Sequence, residues 1–339
     1  MQRKSNIVVG KTSRIAVLGS GSWATAIVKI LTYSVDNLGW YVRDENAIMH
    51  IKKYGNNPKY LSSANINTNK VSLTNDINKA VENSDVVIIA IPSAFLENAL
   101  SNLTVPLCDK FILSAVKGII PSSNVTIAEF FNQAYGIPFD NIGVVTGPCH
   151  AEEVALERLS YLTLACKSKE NAQALAKLVE CHFIKTTTTS DIYGVEYAAV
   201  LKNIYAIASG ICHGLSYGDN FQAVLVSNAQ RELKRFLDVT YPSKRNVDTS
   251  AYLGDLLVTC YSNFSRNRTF GNMIGKGYTV SATMAEMNMV AEGYYAASCI
   301  HAINQSHGVY MPIAETIFKI LYQNGNPNIE IRNLIEQLK

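Results

Sequence analysis

The 339-residue sequence predicts an α/β fold, in which an N-terminal Rossmann-type, doubly wound sheet is followed by an all-helical C-terminal domain. Short apolar runs alternate with helical spacing as far as residue 190, a pattern typical of parallel sheets. A glycine turn joins the first apolar run to the first helix. Beyond residue 190 only helical spacing remains, so we predict an NAD(P)-binding domain at 1–190 and a substrate domain at 191–339.

Composition limits the classes of protein to consider. Apolar residues make up 48% of the chain and charged residues 17%, as in globular proteins. A net charge of +3 without a basic cluster argues against a nucleic-acid binder. The longest charge-free apolar runs are too short for a membrane span, and the polar start lacks the apolar core of a signal peptide. Seven scattered cysteines indicate reduced thiols in a cytoplasmic protein, and we predict no metal site.

The first strand, turn and helix form a candidate nucleotide site. RIAVLG at 14–19 predicts a strand, and SWATAIVKILTYS predicts a helix after it. Between them, Gly19 permits a tight turn, Gly21 lets the backbone approach a pyrophosphate, and Ala24 allows close helix packing. The helix N-terminus would hold the phosphates. Because glycine turns are common, a purely structural turn is the alternative.

The second strand is predicted at 38–43 and ends in two opposite charges. In this fold an acidic residue at that position favours NAD, whereas an arginine accommodates the 2′-phosphate of NADP. Arg43 favours tolerance of NADP, although Asp44 follows it directly. An exposed charge pair without a cofactor role is the alternative.

The alternation continues through the rest of the first domain. Apolar runs predict strands at 85–92, 110–116, 141–148, 163–167 and 183–190, with helices at 75–83 (entered through Thr74), from 94, at 149–157 and at 169–181. Ligands bind such sheets beyond the carboxyl ends of the strands. The residues expected there are Gly19, Arg43, Pro92, Lys117 and Gly147. The second domain is predicted to contain helices at 191–213, 219–238, 250–262, 281–305, 312–324 and 328–338.

One predicted helix carries a lysine in an unusual setting. Residues 195–211 are apolar on every helical face, which is typical of a buried helix, and Lys202 lies in its middle. Burying a lysine is costly unless it is paired or loses its proton. A lysine with a lowered pKa can act as a general base near neutral pH. In the alternative interpretation, Lys202 reaches the surface or pairs with a carboxylate such as Glu196.

Seven motifs carry a resemblance to a known family. GSGSWATA, AVKGI, TGPCHAEEVA, GVEYAAVLKNIYAIASGI, LGDLLVTC, SRNRTFG and VAEG occur in this order. With them the sequence resembles the NAD(P)-dependent glycerol-3-phosphate dehydrogenases of the bacterial type, over residues 14–325. The resemblance implies reversible reduction of dihydroxyacetone phosphate, a phosphorylated triose, by NAD(P)H. The product, sn-glycerol 3-phosphate, would supply glycerophospholipid synthesis. A cytoplasmic homodimer is expected.

The resemblance also implies site residues. Lys202 would be the proton acceptor, with Lys117 and Asp255 completing the catalytic group. Expected cofactor contacts, together with those of the glycine turn, are Gly19, Gly21, Ser22, Trp23, Arg43, Lys117, Ala151, Arg266, Val290 and Glu292. Expected substrate contacts are Lys117, Gly147, Cys149, Lys202, Asp255, Ser265, Arg266 and Asn267.

The chemistry suits these residue types. Lys117 as a cation would lower the pKa of Lys202, and a protonated amine would polarise the substrate carbonyl. Arg266 suits a phosphate because its planar guanidinium donates two parallel hydrogen bonds. Taken alone, Asp255 has a structural pair or helix cap as its alternative, and the SRNR segment has a solvated basic turn.

The sequence departs from the family pattern at two sites, and two other functions compete with the one that the resemblance implies. Cys149-His150 and Cys212-His213 replace residues more usual in the family. A rival enzyme is another two-domain Rossmann dehydrogenase, of the 6-phosphogluconate or 3-hydroxyacid type. A rival of another class is a non-catalytic NAD(P) sensor, which would not need Lys202, Asp255 and the SRN segment together.

Overall fold

A computed structural model describes residues 6–287 and 291–339, which form two compact units. The first unit contains the chain up to residue 116 and residues 127–192. The second contains residues 117–126 and 193–339. Compared with the predicted domains, one segment is grouped differently, because 117–126 lies with the helical unit.

The segment up to residue 192 alternates strands and helices. In chain order it contains β1 (Ile15–Leu18), α1 (Ser22–Leu31), β2 (Leu38–Tyr41), α2 (Glu45–Tyr54), β3 (Val71–Thr74), α3 (Ile77–Glu82), β4 (Val86–Ile89), α4 (Ser93–Leu100), β5 (Phe111–Ser114), β6 (Ile119–Ile120), β7 (Val125–Thr126), α5 (Ile127–Tyr135), β8 (Ile142–Thr146), α6 (Ala151–Ala155), β9 (Ser160–Cys166), α7 (Lys169–Val179) and β10 (Ile184–Thr189). The short antiparallel pair β6–β7 belongs to the second unit.

The first unit is built on one eight-stranded sheet of order β10-β9-β8-β5-β4-β1-β2-β3. The six strands from β8 to β3 pair in parallel, as the alternation predicts. At the other edge β9 pairs antiparallel with β8, and β10 runs parallel to β9, so the parallel pattern stops at β8. The connection from β8 to β9 contains only the five-residue α6.

Some elements of the first unit have no clear sequence pattern. β3 is an edge strand in which no residue is fully buried, so it has no apolar run to mark it. α2 and α5 were not predicted either. The predicted entry of α3 through Thr74 is wrong, because Asp76 is the cap: its side chain accepts the backbone N–H groups of Asn78 and Lys79.

The second unit is helical apart from β6–β7. Its helices are α8 (Ile192–Gly214), α9 (Asp219–Thr240), α10 (Asp255–Tyr261), α11 (Arg266–Gly275), α12 (Val280–Glu286), α13 (Glu292–His307), α14 (Pro312–Tyr322) and α15 (Pro327–Ile335), and a π-helical turn, Ser250–Gly254, leads into α10. Every residue from 194 to 212 is buried, which confirms the prediction of a buried helix. Across the described ranges, no helix is long and apolar enough to cross a membrane.

The single helix predicted at 281–305 is wrong. α12 ends before Met287, which is extended, and α13 begins after Ala291, which is also extended. A tertiary contact accounts for the start of α13, because the N–H of Gly293 in its first turn donates to the side chain of Asn267 on α11. α11 itself was not predicted, since its first turn is polar and gives no apolar periodicity.

Candidate active site

Several predicted site residues of the first unit lie just after the carboxyl ends of parallel strands. Gly19 follows β1, Arg43 follows β2 after one residue, and Gly147 follows β8. These three strands run in the same direction within the sheet. The three residues therefore lie at one edge, where sheets of this type bind their ligands.

The glycine turn between β1 and α1 fits the pyrophosphate of a dinucleotide. Gly19 has a φ of +129°, a conformation that favours glycine, and a Cβ there would lie 2.5 Å from the carbonyl oxygen of Ala90. The indole N–H of Trp40 donates to the carbonyl oxygen of Gly19 at 2.7 Å and fixes the turn. At Gly21, by contrast, a Cβ would meet no atom of the described chain within 4 Å. The backbone at the start of α1 therefore leaves room for a phosphate beside the helix N-terminus.

The first turn of α1 contains the next predicted residues. Ser22 is buried, Trp23 packs against the hydrophobic core of the unit, and Ala24 is completely buried. The complete burial of Ala24 agrees with the prediction that a small residue is needed for close helix packing.

Sequence reasoning missed a buried asparagine that ties a loop to this turn. Asn57 is 1% exposed, and its Nδ2 donates to the carbonyl oxygen of Ser20 and to Oγ1 of Thr25, both at 2.9 Å. Its Oδ1 accepts the backbone N–H groups of Lys59 and Tyr60 at 3.1 Å. No local pattern marks Asn57, because its partners on the turn lie more than thirty residues away along the chain.

The two charges after β2 have different surroundings. Asp44 caps α2, with Oδ1 accepting the N–H groups of Asn46 and Ala47 at 2.9 and 3.4 Å. Its Oδ2 pairs with Nζ of Lys59 at 2.6 Å, and this hydrogen bond holds the pKa of the Asp44 carboxyl below its usual value. The Arg43 side chain is exposed. Asp44 therefore has a structural role, whereas Arg43 faces solvent.

The segment after β8 contains three more predicted residues. Gly147 follows the strand, and Ala151 is the first residue of α6, with His150 at the N-cap. Cys149 is buried and packs in the hydrophobic core of the first unit. The thiol therefore fills a core position at this departure from the family pattern.

In the second unit, Lys117, Lys202 and Asp255 form one buried charged cluster. Oδ2 of Asp255 accepts a hydrogen bond from Nζ of Lys117 at 3.2 Å, and Oδ1 accepts one from Nζ of Lys202. The side chains of Asp255, Lys202 and Lys117 are 2%, 5% and 19% exposed. Lys202 thus stays inside the unit, and its ion-pair partner is Asp255.

The cluster is arranged so that Lys202 can gain or lose a proton easily. Burial lowers the pKa of Lys202 to about 7; the Asp255 carboxylate opposes this shift, and the Lys117 ammonium adds to it. Burial alone would raise the pKa of Asp255, but the two lysines outweigh burial and hold that pKa below its ordinary value. Burial and the Lys117 ammonium thus favour loss of the Lys202 proton, while the two lysines favour the charged form of the Asp255 carboxyl.

Backbone contacts position the cluster. The Nδ2 of Asn203 donates to the carbonyl oxygen of Lys117 at 2.7 Å, which ties the segment after β5 to α8. The N–H of Asp255 bonds back to Ser250 across the π-helical turn, a feature that often occurs at functional sites. The hydroxyl of Thr259 donates to the carbonyl oxygen of Asp255 at 2.5 Å. Sequence reasoning missed Asn203 as a positioning residue, although it stands beside Lys202 in the LKN motif.

The predicted SRN cluster forms the N-terminus of α11. The Oγ of Ser265 accepts the N–H of Arg268 at 3.3 Å, and Arg266 is the first helical residue. The Oδ1 of Asn267 accepts the N–H of Gly293 at 2.9 Å. Since only acceptor atoms are used in these bonds, the hydroxyl hydrogen of Ser265 and the amide hydrogens of Asn267 remain as donors in the predicted substrate contacts.

The start of α13 lies directly against α8 next to Lys202. A Cβ at Gly293 would lie 2.6 Å from the carbonyl oxygen of Asn203. Through its bond to Gly293, Asn267 is therefore held close to the Lys202 region of α8. Glu292 is the first residue of α13. The predicted contact Val290 lies outside the described residues.

The fold and these two groups of residues place the chain in a class. A Rossmann-type unit with a turn fitted to a pyrophosphate, joined to a helical unit with a titratable buried lysine, is the arrangement of two-domain nicotinamide-dependent dehydrogenases.

Comparison with known proteins identifies the family. A family model described as the N-terminus of NAD-dependent glycerol-3-phosphate dehydrogenase matches residues 14–172, and one described as its C-terminus matches 191–332. The chain therefore belongs to the NAD-dependent glycerol-3-phosphate dehydrogenase family.

Individual relatives agree over nearly the whole chain. An NAD(P)+ glycerol-3-phosphate dehydrogenase of Lysinibacillus sphaericus is 33% identical over 329 residues, covering 96% of this chain and 97% of the relative. One of Macrococcus caseolyticus is 31% identical over 333 residues, with 96% and 98% covered. The crystal structure of glycerol-3-phosphate dehydrogenase from Coxiella burnetii has a TM-score of 0.88 at 26% identity, covering 96% of this chain and 99% of that chain.

Proposed function

We propose that this chain interconverts dihydroxyacetone phosphate and sn-glycerol 3-phosphate with NAD(P)H, and so supplies glycerophospholipid synthesis. The relatives carry the name of this activity. The observation that carries the proposal is the buried Lys117–Asp255–Lys202 cluster, in which the pKa of Lys202 lies near 7.

In the proposed mechanism Lys202 is the acid and base. The bound nicotinamide cofactor would supply hydride transfer to and from C2 of the substrate. During oxidation the neutral amine of Lys202 takes the proton from O2, and during reduction its ammonium donates that proton back. Asp255 holds the Lys202 side chain in place and balances the charge it acquires. Lys117, on the other carboxylate oxygen, would contact the substrate and polarise its carbonyl.

The substrate phosphate would bind at the N-terminus of α11. Arg266 supplies a fixed positive charge at the first helical position, where backbone N–H groups and the helix dipole also favour an anion. Ser265 and Asn267 are both buried, and each keeps a donor group after its structural hydrogen bond. The phosphate does not react, so its contacts would stay the same during hydride transfer. Their binding energy would serve to position C2 for reaction.

The cofactor would bind along the carboxyl edge of the first unit. Gly19, Gly21, Ser22 and Trp23 would hold the pyrophosphate, and Arg43 would face the adenosine ribose. The segment with Gly147, Cys149 and Ala151, together with Lys117, Arg266, Val290 and Glu292, would complete the cofactor and substrate contacts. The positive φ of Gly19 and the open space beside Gly21 support this assignment. We accordingly propose a cofactor domain at 1–190 and a substrate domain at 191–339.

The two rivals are less well supported. A non-catalytic sensor would use the glycine turn, but it has no need for a buried lysine whose pKa lies near 7 beside a second lysine and a carboxylate. A hydroxyacid or 6-phosphogluconate dehydrogenase could use such a lysine, but the relatives that match nearly the whole chain carry another name.

Location and assembly follow from the resemblance. We propose a cytoplasmic homodimer. None of the seven cysteines, all of which lie in the described ranges, forms a disulfide, and this suits a reducing compartment.

The deciding experiment is a spectrophotometric assay. The purified protein is mixed with dihydroxyacetone phosphate and either NADH or NADPH, and loss of reduced-nicotinamide absorbance is followed. We expect loss of this absorbance with dihydroxyacetone phosphate and at least one reduced cofactor. We expect no gain of it when 6-phosphogluconate or a 3-hydroxyacid is supplied with the oxidised cofactor. Cofactor binding without turnover of dihydroxyacetone phosphate would contradict the proposal and leave a sensor or another dehydrogenase.

A further inference from the structure

A group of three charged side chains surrounds the end of β2. It consists of Arg43, Asp44 and Lys59, and we call it the β2-end cluster. Lys59 and Asp44 form an ion pair at 2.6 Å, with side chains 64% and 33% exposed. Lys59 offsets the charge of Asp44, so the positive charge of Arg43 remains within the cluster. A cation at this position favours a phosphate over a neutral ribose.

The carboxylate of the β2-end cluster is poorly placed to select an unphosphorylated ribose. An acidic residue selects NAD by accepting hydrogen bonds from the ribose hydroxyls. Here Oδ1 of Asp44 faces the N–H groups of Asn46 and Ala47, and Oδ2 faces Nζ of Lys59. The cap fixes the orientation of the side chain, and Lys59 neutralises its charge.

Lys59 is held in this position by a buried side chain. The backbone N–H groups of Lys59 and Tyr60 bind Oδ1 of Asn57, while Nδ2 of Asn57 binds Ser20 in the glycine turn and Thr25 in α1. The loop that carries Lys59 is thus fastened to the proposed phosphate site. These bonds fix the backbone at Lys59, whose side chain extends to Asp44.

Arg43 and Lys59 lie close enough to affect each other. The hydrogen bond to Asp44 raises the pKa of Lys59, and the guanidinium of Arg43 opposes that rise. The charge of Lys59 is offset by its ion pair with Asp44, whereas Arg43 faces solvent beside that pair.

We propose that Lys59 is a specificity-determining residue that makes the end of β2 a site for the 2′-phosphate of NADPH. It does so by neutralising Asp44 beside Arg43, so that the chain binds NADPH more tightly than NADH. This inference rests on the proposed function, because it assumes that a nicotinamide dinucleotide occupies the carboxyl edge. Lys59 acts through Asp44 and is therefore a positioning residue.

The test measures binding without turnover. NADPH and NADH are titrated against the protein by nucleotide fluorescence, and adenosine 2′,5′-bisphosphate and AMP by calorimetry. We expect tighter binding of the 2′-phosphorylated member of each pair. Lys59→Gln should weaken the binding of NADPH by roughly 3- to 10-fold and the binding of NADH by less than about twofold. Lys59→Arg should retain the NADPH preference. Lys52→Gln, which removes an exposed charge from the last turn of α2, is the matched control and should change neither affinity.

A double variant tests the route through Asp44. Asparagine also caps helices, so Asp44→Asn removes the charge and keeps the cap. Combined with Lys59→Gln it should restore most of the lost NADPH affinity. Absence of this rescue, or equal losses for both nucleotides, would overturn the proposed role of Lys59. Equal binding of NADPH and NADH to the unaltered protein would refute this inference alone, whereas binding of neither would also refute the proposed function.

Discussion

A lysine on a buried helix normally destabilises a protein, and Lys202 has the features that make such a residue useful. Its partner Asp255 keeps it in place, while burial lowers its pKa to about 7. An amine with its ordinary pKa would be protonated at neutral pH and could not accept a proton. The same burial that costs stability therefore supplies the proposed base.

Replacing Lys202 by methionine should remove acid–base chemistry while preserving most of the packing. We expect Lys202→Met to lower turnover by about 10²- to 10⁴-fold, with cofactor affinity almost unchanged. Turnover is measured in the spectrophotometric assay and affinity by nucleotide fluorescence. Lys110→Met is the matched control, because Lys110 is also buried, and donates to the carbonyl oxygen of Ser84 in the first unit. Near-normal turnover of Lys202→Met would exclude Lys202 as the acid and base.

The pH dependence of the two directions should be opposite. The folded pKa of Lys202 is about 7, so the neutral base needed for oxidation is present above that pH and is lost as pH falls. The ammonium needed for reduction is present below pH 7 and is lost as pH rises. kcat/KM for oxidation should therefore increase through pH 7, and kcat/KM for reduction should decrease.

Removing Lys117 should shift these profiles. Its ammonium lowers the pKa of Lys202, and it shares the Asp255 carboxylate. In Lys117→Met, Asp255 would act on Lys202 alone and the pKa of Lys202 should rise. The increase of kcat/KM for oxidation should therefore occur at higher pH. The measurement is the pH profile of the remaining kcat/KM. If activity falls but the pH at which kcat/KM for oxidation increases is unchanged, Lys117 contacts the substrate without altering the pKa of Lys202.

At the level of elements, close contact between α8 and α11 positions the proposed phosphate site. A Cβ at Gly271 would overlap the carbonyl oxygen of Ile207, and one at Gly210 would overlap the carbonyl oxygen of Arg268. The two backbones thus touch without intervening side chains. This contact fixes the N-terminus of α11, where Arg266 begins the helix, relative to the helix that carries Lys202.

Gly271→Ala should force these helices apart. Alanine favours a helix by about 1 kcal/mol relative to glycine, but inserting a methyl group into a packed contact typically costs about 1–3 kcal/mol. We expect a lower midpoint in urea unfolding and a higher KM for dihydroxyacetone phosphate. Gly10→Ala is the control, because a Cβ there would meet no described atom within 4 Å. An unchanged KM for Gly271→Ala would show that α11 does not position the substrate.

Sequence patterns revealed those elements and site residues whose signal is local. α8 was predicted because it is apolar on all faces, and β1 because an apolar run precedes a glycine turn. α11 was missed because its contact face contains glycines, which carry little hydropathy signal, and β3 because an edge strand is only partly buried. At the start of α13, the N–H of Gly293 bonds to Asn267 on α11, a contact that no local pattern contains.

The same distinction applies to the site. The burial of Lys202 followed from its neighbours in sequence, so it could be predicted. Its pairing with Asp255 joins residues 53 positions apart, and the helix sequence alone suggested Glu196 as a possible carboxylate partner. Asn57 and Asn203 act on partners 32 to 86 positions away and were not predicted. Tertiary hydrogen bonds of this kind require the folded chain.

For the whole molecule, the path of the chain indicates one cooperative transition. The chain passes between the two units three times, after residues 116, 126 and 192. The last passage falls within the first turn of α8, and the first directly precedes Lys117. Segment 117–126 of the second unit is joined at both ends to the first unit, and α8 continues directly from it. Unfolding of the first unit would therefore free both ends of this segment and the start of α8, so we expect the two units to unfold together.

Hydrogen exchange with bound cofactor tests this expectation. The amides at 198–212 lie in a buried helix and should exchange only through global unfolding. At a cofactor concentration 100 times its Kd, binding stabilises the folded state by about 2.7 kcal/mol, which slows such exchange by about 100-fold. If the units unfold together, adenosine 2′,5′-bisphosphate, whose proposed contacts all lie in the first unit, should give this full slowing at 198–212 in the second unit at the same multiple of its own Kd. Strong protection at 19–25 with no change at 198–212 would mean that the units unfold separately, and that the three passages do not couple their stabilities.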